Sequence, residues 1–167
     1  MGLTGTDTVC GIVPMFHAMG WGIPWSALML GCKQVMPHRF MDPARLLDLM
    51  VAEKVTLSAG VPTIWQGVKG LYEANPDAYD LSSLSRLTCG GSSPPPSLIR
   101  WFWDELDVEM IQGWGMTETS PAGTALDAAD VMRKIGSAGK ALLHTELKIV
   151  DDDGTTLPWG EVGELLI

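Results

Sequence analysis

The sequence predicts an α/β fold with a largely parallel sheet and flanking helices, followed by the start of an antiparallel β subdomain. Short apolar runs typical of buried strands alternate with segments whose apolar residues recur at helical spacing. Residues 145–150 and 163–167 instead alternate polar and apolar side chains, as strands of an antiparallel pair do. We therefore expect one unit over residues 1–137 and the beginning of a β subdomain over residues 138–167.

The first unit contains five predicted strands with a predicted helix between each pair. The strands fall at residues 9–13, 33–36, 55–61, 84–89 and 108–111, and the helices at 22–30, from 43, from 62 and at 97–106. Asp42 and Pro43 form a favourable helix start, because a carboxylate caps first-turn N–H groups and proline fits the first helical position. Parallel strands need a crossover between them, so this alternation favours a parallel sheet.

The end of the chain reads as a hairpin. Asp151-Asp-Asp-Gly154 lies between the two alternating segments and is typical of a solvated turn, and it lacks the spacing of a calcium-binding loop. The sequence stops within the last predicted strand, with no turn or cap after it. We expect a truncated domain on this basis.

The composition is typical of a soluble globular domain. Of the 167 residues, 46% are hydrophobic and 19% are charged, and the net charge of −9 argues against non-specific nucleic-acid binding. No apolar stretch is long enough to span a bilayer, and residues 1–7 lack the basic and apolar regions of a signal peptide. We expect a cytoplasmic protein, with peripheral membrane association and a homodimer left open.

The cysteines and two of the histidines indicate no metal site. Cys10, Cys32 and Cys89 are far apart and odd in number, which fits neither a disulfide framework nor a zinc site and predicts buried free thiols. His38 and His144 have no partner at metal or triad spacing, and we assign them no role.

Glycines follow two of the predicted strands. Gly90-Gly91 comes after the strand at 84–89, and Gln112-Gly113 comes after the strand at 108–111. Ligands of open α/β sheets collect beyond the carboxyl ends of the strands, so these segments could share one crevice. Glycine there lets a backbone contact a flat ligand without a Cβ in the way. The alternative is that each pair only makes a tight turn.

The segment Trp114-Gly-Met-Thr117-Glu118 combines an indole, a hydroxyl and a carboxylate. An indole can stack on a nucleobase, a threonine hydroxyl can donate to a phosphate, and a glutamate is a hard ligand for Mg²⁺. The same residues also suit a core tryptophan followed by a hydroxyl-capped helical turn with an acidic residue in its first turn. Local chemistry leaves both interpretations open.

His17 follows the first predicted strand and precedes an aromatic helix that contains Trp21 and Trp25. A histidine at a strand's carboxyl end could act as a general base or a gate, and it could equally be a structural residue packed under aromatic rings. The sequence contains no P-loop, dinucleotide-binding glycine motif, zinc-protease motif or nucleophile elbow.

Five motifs in this order resemble those of the adenylate-forming enzymes, and most closely those of medium- and long-chain fatty-acyl-CoA synthetases. They are Pro14-Met-Phe-His17, residues 58–63, Gly90-Gly-Ser92, residues 112–121 and residues 160–165. The resemblance implies a ligase that uses ATP and Mg²⁺ to convert a carboxylate into an acyl-adenylate, releasing pyrophosphate. It further implies that coenzyme A then displaces AMP to form a thioester.

The resemblance also implies roles for individual nucleotide-binding residues. Gly91 and the backbone of Gln112-Gly113 would border the adenosine, and Trp114 would stack on adenine. Thr117 would bind the α-phosphate, and Glu118 would ligate Mg²⁺. Fixed donors and a cation at that phosphate would lower the barrier, because negative charge develops there during attack.

On the acyl side, the resemblance places His17 beside the acyl-adenylate and the thiol entrance, and Trp21 at the gate of the fatty-acid tunnel. The family's lysine-bearing phosphate loop, its downstream ribose-binding aspartate and its mobile domain with a catalytic lysine are not found in this sequence. We therefore expect a central fragment that is inactive by itself. The alternatives are an aryl- or amino-acid-adenylating enzyme of the same superfamily, and a non-catalytic nucleotide- or acyl-binding remnant.

Overall fold

The larger of two sheets in the computed structural model is mostly parallel, as predicted. The structure describes residues 1–39, 41–143 and 145–167, so His144 lies outside the described residues. The seven strands have the order β2-β1-β3-β4-β5-β6-β7. They are β1 (Thr8–Cys10), β2 (Lys33–Val35), β3 (Leu57–Gly60), β4 (Arg86–Cys89), β5 (Glu109–Gly115), β6 (Ala122–Ala125) and β7 (Lys140–Ala141). Strands β1 to β5 pair in parallel, whereas β5–β6 and β6–β7 pair antiparallel.

The helices occupy the predicted intervals between strands. They are α1 (Ala18–Trp21), α2 (Ile23–Leu30), α3 (Pro43–Glu53), α4 (Pro62–Ala74) and α5 (Pro96–Leu106). Short 3-10 turns follow at Pro76–Ala78, Thr117–Thr119 and Ala128–Asp130. The predicted cap of α3 is confirmed, since the Asp42 carboxylate accepts a hydrogen bond from the Arg45 backbone N–H at 3.2 Å. No helix in the described ranges is long and apolar enough to cross a membrane.

Helices cover both faces of the parallel strands. On one face, the helices α3, α4 and α5 contribute Leu46, Trp65 and Phe102 to the main core, which also contains Leu87 and Met110 from the sheet. The rings of Trp65 and Phe102 meet edge to face at 6.4 Å.

On the opposite face, α2 packs over β1 and β3. Ile23 and Ala27 of α2 contact a small cluster with Val9, Leu57 and Ala59. Alternate residues of a strand point to opposite faces, which explains why Val9 and Cys10 belong to different clusters. Helix α2 covers the β1–β3 part of this face.

Strand β5 is longer than predicted. It continues through Gly115, so Gln112 and Gly113 lie inside the strand, and the expectation that they follow it is wrong. The cause is long-range pairing, because β6 holds this stretch extended through the pairs Gly113–Ala125 and Trp114–Thr124. Local glycine content favours a turn and carries no information about that partner strand.

The second sheet is a hairpin of β8 (Lys148–Val150) and β9 (Glu164–Leu166), paired antiparallel. The Asp151 carboxylate accepts backbone N–H groups from Asp153 at 3.1 Å and Thr155 at 2.8 Å, which confirms the predicted turn. The division of the chain near residue 138 stays a prediction, and β7 pairs within the larger sheet.

A buried ion pair joins the amino-terminal ends of three parallel strands. Asp7, which precedes β1, pairs with Arg86 of β4 and accepts a 2.6 Å hydrogen bond from the Thr56 hydroxyl before β3. Arg86 also donates to the backbone oxygens of Met1 at 2.9 Å and Gly2 at 2.6 Å.

The surroundings of Asp7 favour its charged form. Burial of the Asp7 carboxyl opposes ionisation, but hydrogen bonds from Thr56 and Thr4 and the charge of Arg86 outweigh burial. Together they lower the pKa of Asp7 below its ordinary value of 3.8. These hydrogen bonds, together with the Arg86 charge, therefore stabilise the ionised Asp7 carboxylate in the folded chain at neutral pH.

Candidate active site

A cavity of about 230 Å³ lies at the carboxyl ends of β4 and β5. Its walls include His17, Trp21, Gly91, Gly113 and Trp114, which come from three separate stretches of the sequence. Open α/β sheets bind ligands at this edge, so the position agrees with the crevice expected from the glycine pairs. The structure thus brings together five of the predicted site residues.

The glycines after β4 are required by close packing with Trp21 and β5. A Cβ on Gly90 would lie 3.2 Å from the Trp21 ring and 3.3 Å from the Gly113 carbonyl oxygen. Gly91 has φ +78°, a left-handed conformation, and a Cβ there would lie 3.0 Å from Val61. Gly90 and Gly91 therefore make a tight turn and also line the cavity, so the two interpretations of this pair are compatible.

Trp114 forms part of the cavity wall, and two nearby glycines allow close packing between β5 and β6. A Cβ on Gly123 would lie 2.7 Å from the Trp114 ring, so the indole packs directly on the β6 backbone. A Cβ on Gly115 would overlap the carbonyl oxygen of Pro121. The contact with Gly123 holds the indole at the cavity wall, and Trp114 is half-buried there.

Thr117 and Glu118 are exposed and do not line this cavity. They lie in the 3-10 turn Thr117–Thr119, as the capped-turn interpretation expects. The capping hydroxyl is that of Thr119, which accepts the Met116 N–H at 3.0 Å and lies 2.6 Å from the Pro121 carbonyl oxygen. The side chains of Thr117 and Glu118 therefore project from a turn that another residue caps.

Gln112 connects β5 to the loop after β4. Its side chain is buried, and its Nε2 donates to the Ser93 hydroxyl at 3.4 Å. Its Oε1 is also buried and accepts no hydrogen bond from any residue that the structure describes. A buried unpaired acceptor is costly, so this amide is a candidate for pairing with a ligand.

Glu118 fits a metal that arrives with a nucleotide. Within residues 1–39, 41–143 and 145–167, no three His, Cys, Asp or Glu side chains are grouped to hold a metal ion. Mg²⁺ is commonly bound by one or two carboxylates together with substrate phosphates, and one exposed carboxylate meets that requirement.

His17 and Trp21 flank a turn with an unusual backbone. Ala18, Met19 and Trp21 have φ values of 39°, 50° and 56°, in the left-handed region that non-glycine residues rarely adopt. The His17 and Trp21 rings lie 6.4 Å apart at 62°. Strand β1 ends at Cys10, earlier than the predicted residue 13, so His17 follows it after a longer loop, and it still lines the cavity.

The sequence interpretation missed the floor of the cavity. Thr88, Ile111, Thr124, Ala125 and Leu142 line it without belonging to any motif. Strand alternation is the sequence signal that could have identified two of these residues. Thr88 and Ile111 lie two residues before Gly90 and Gly113 and so share their face of the sheet, and the structure pairs Thr88 with Ile111.

All three cysteines are free, as predicted. Burial raises the pKa of Cys10 to about 11 and that of Cys89 to about 12, so both remain neutral thiols. Cys32 is only partly buried, which corrects the prediction that all three are buried.

The fold and the cavity are those of an open α/β protein with a ligand-sized space at the carboxyl ends of its strands, and comparison with known proteins gives the family. Residues 1–167 match the family described as AMP-binding enzyme, and the chain belongs to it.

The resemblance to fatty-acyl-CoA synthetases is confirmed. The medium-chain-fatty-acid–CoA ligase of Ectopseudomonas oleovorans is 41% identical over 95% of this chain. The long-chain-fatty-acid–CoA ligase of Thermus thermophilus is 36% identical over 93%. The chain spans about 30% of the length of each.

Solved structures show the same relationship. A long-chain-fatty-acid–CoA ligase from Archaeoglobus fulgidus superposes with a TM-score of 0.86 at 28% identity, covering 98% of this chain and 34% of that one. The anthranilate CoA ligase AuaEII, in complex with anthranoyl-AMP, has a TM-score of 0.87 at 25% identity, covering 99% of this chain and 32% of that one.

Proposed function

We propose that this chain is the central part of an ATP-dependent fatty-acid–CoA ligase. The reaction converts a carboxylate and ATP into an acyl-adenylate and pyrophosphate, and coenzyme A then replaces AMP to give the thioester. The observation that carries the proposal is the single cavity that gathers His17, Trp21, Gly91, Gly113 and Trp114 in a member of the AMP-binding family. Residues 1–137 would supply this site, and residues 138–167 would begin the β subdomain.

The adenosine would lie against β5 and the loop after β4. Gly91, Gln112 and Gly113 would border it, and Trp114 would stack on the adenine, a contact of about 1–3 kcal/mol. The bare backbone at Gly113 and the fixed, half-buried indole support this assignment. The unpaired Oε1 of Gln112 supports a hydrogen bond to the nucleotide.

Thr117 and Glu118 would act on the phosphates. The Thr117 hydroxyl would donate to the α-phosphate, and the Glu118 carboxylate would hold Mg²⁺. When bound, Mg²⁺ would stabilise the negative charge that develops on the phosphate during attack by the carboxylate. The exposure of both side chains beside the cavity wall formed by Trp114 supports these roles.

His17 and Trp21 would define the acyl side of the cavity. Trp21 packs over Gly90 and would close the entrance to the acyl pocket, while His17 would lie beside the acyl-adenylate and the incoming thiol. Their rings are in edge-to-face contact, so a movement of the Trp21 ring would also change the position of His17.

The test is expression of the open reading frame that contains this chain, assayed for AMP and acyl-CoA with straight-chain acids. Glu118→Gln should lower adenylation about a hundredfold or more, since the metal ligand is lost. Glu105→Gln, the same change on the exposed surface of α5, is the matched control and should not alter the rate. Full activity of Glu118→Gln would contradict the metal assignment.

The 167-residue chain by itself should form neither AMP nor acyl-CoA, because the residues that the resemblance assigns to the phosphate loop and catalytic lysine are not in this sequence. Steady acyl-CoA production by the purified chain would contradict this expectation. An open reading frame that binds nucleotide but never turns over would favour the non-catalytic alternative.

An aromatic acid is the second candidate substrate. Feruloyl-CoA synthase of an Amycolatopsis species is 37% identical over 92% of this chain, close to the value for the long-chain ligase. Ferulate, benzoate and anthranilate therefore belong in the acid panel. A higher kcat/KM for these acids than for straight-chain acids would favour the alternative that the protein is an aryl-adenylating enzyme.

A further inference from the structure

The loop of residues 116–121 joins β5 to β6 and carries Thr117 and Glu118. The strands approach each other closely where this loop begins and ends, because a Cβ on Gly115 would overlap the Pro121 carbonyl oxygen. The side chains of Thr117 and Glu118 are exposed. The contacts that hold the loop backbone therefore decide where these two side chains are presented.

The Thr119 hydroxyl connects the two ends of this loop. It accepts the Met116 N–H at 3.0 Å, and it lies 2.6 Å from the Pro121 carbonyl oxygen and 2.9 Å from the Met116 carbonyl oxygen. A hydroxyl has one proton and two lone pairs, so it can accept from Met116 while it donates to one of these carbonyls. Thr119 is half-buried, whereas Thr117 and Glu118 are open to solvent. One side chain thus ties the end of β5 to the start of β6.

The loop backbone is tight and includes one unfavourable conformation. The Thr119 N–H donates to the Met116 carbonyl at 3.1 Å, and the Ser120 N–H donates to the Thr117 carbonyl at 3.2 Å. Ser120 has φ +54°, in the left-handed region that residues other than glycine adopt at a cost. Such a conformation persists only where neighbouring contacts hold it, and the Thr119 hydroxyl supplies contacts on both sides of Ser120 along the loop. Loss of this hydroxyl should therefore let the loop relax.

We propose that Thr119 is a positioning residue, which holds Thr117 and Glu118 in place for the phosphates and the Mg²⁺ of the nucleotide. Thr119 acts through the loop backbone and does not itself contact the ligand. Removing a residue that orients a metal ligand typically lowers metal affinity or activity by about ten- to a hundredfold. A loop that is already fixed also loses less conformational freedom when a ligand binds. This inference rests on the proposed function, which takes Glu118 as the metal ligand and Thr117 as the phosphate donor.

The experiment measures ATP binding to the expressed open reading frame by calorimetric titration, with and without Mg²⁺, beside the rate of adenylation. Thr119→Val removes the hydroxyl and keeps the branched shape of the side chain. It should weaken ATP binding in the presence of Mg²⁺ by about tenfold and lower the adenylation rate by a similar factor. Without Mg²⁺, the loss of ATP affinity should be smaller, because the contribution of Glu118 is then absent from both proteins.

Two further variants serve as controls. Thr119→Ser keeps the hydroxyl and should restore both ATP binding and the adenylation rate toward the wild-type values. Thr155→Val is the same change as Thr119→Val at an exposed residue between β8 and β9, and it should alter neither measurement. Thermal unfolding checks that each variant folds. If Thr119→Val does not fold, Thr119→Ala removes the hydroxyl with a smaller side chain and takes its place.

Combination with Glu118→Gln separates positioning from a general effect on the fold. Once Glu118 has lost its charge, Thr119→Val should lower the adenylation rate by a smaller factor than it does in the wild type, since the two residues act on one metal.

Three results would overturn the inference and leave the ligase function intact. They are unchanged ATP binding with Mg²⁺ in Thr119→Val, a Thr119→Ser variant as impaired as Thr119→Val, and equal losses of rate with and without the Glu118 charge. Full activity of Glu118→Gln would instead contradict the proposed metal assignment, and this inference with it.

Discussion

The two ends of the parallel sheet differ in how their polar groups are used. At the amino-terminal end, Asp7, Thr56 and Arg86 satisfy one another in a buried network that also holds the backbone of residues 1–2. At the carboxyl-terminal end, Gly91 and Gly113 border a cavity. Near that cavity, the buried Gln112 Oε1 accepts no hydrogen bond in the described part of the chain.

This difference separates residues that maintain the fold from residues that are available to a ligand. Polar groups that are paired internally have little to offer a partner, whereas bare backbone and unpaired acceptors can bind one. Since all carboxyl ends of β1 to β5 meet at one edge, the second kind of residue collects there. Substitutions at the two ends should therefore have different effects.

The largest expected effect is at the amino-terminal end. Asp7→Ala leaves Arg86 without its buried partner and should lower the free energy of unfolding by about 3 kcal/mol. Urea denaturation checks this, with the exposed Asp104→Ala on α5 as the control, which should change stability by less than about 0.5 kcal/mol. Equal effects of the two substitutions would show that the network does not stabilise the fold.

A smaller but still clear effect is expected at the carboxyl-terminal end from Gly115→Ala. The new Cβ would overlap the Pro121 carbonyl oxygen, so β5 and β6 must separate, at a cost of about 2 kcal/mol or more. Gly70→Ala is the matched control, because a Cβ there meets nothing within 4 Å and Gly70 lies inside α4. That control should stabilise the chain by about 0.5 kcal/mol or more, and destabilisation by both would contradict the contact argument.

A smaller, pH-dependent effect on stability should follow from Asp7. Its folded-state pKa is lowered, so its contribution to stability is complete above the ordinary pKa of 3.8 and is lost as pH falls through the folded-state value. The stability difference between the wild type and Asp7→Asn should shrink as pH falls from about 5 to about 2. A difference that stays constant across this range would exclude Asp7 as the titrating group.

The smallest perturbation is labelling of the native thiols at about pH 8 with a disulfide reagent. Cys10 and Cys89, with pKa values raised to about 11 and about 12, should remain unreactive, whereas the partly exposed Cys32 should react. All three should react in denaturant. Rapid labelling of Cys89 in the folded chain would show that β4, next to the cavity, opens readily.

Local spacing and contiguous motifs were enough to predict the succession of strands and helices along the chain, the capped start of α3 and the family. The extent of β5 could not be predicted in this way, since it is β6 that holds Gly113 and Trp114 in an extended conformation. The same holds for the pairing of Asp7 with Arg86 and for the alignment of Ile111 with Thr88. Those contacts join residues far apart in the chain, and the chemistry of one segment does not identify the partner that folding brings to it.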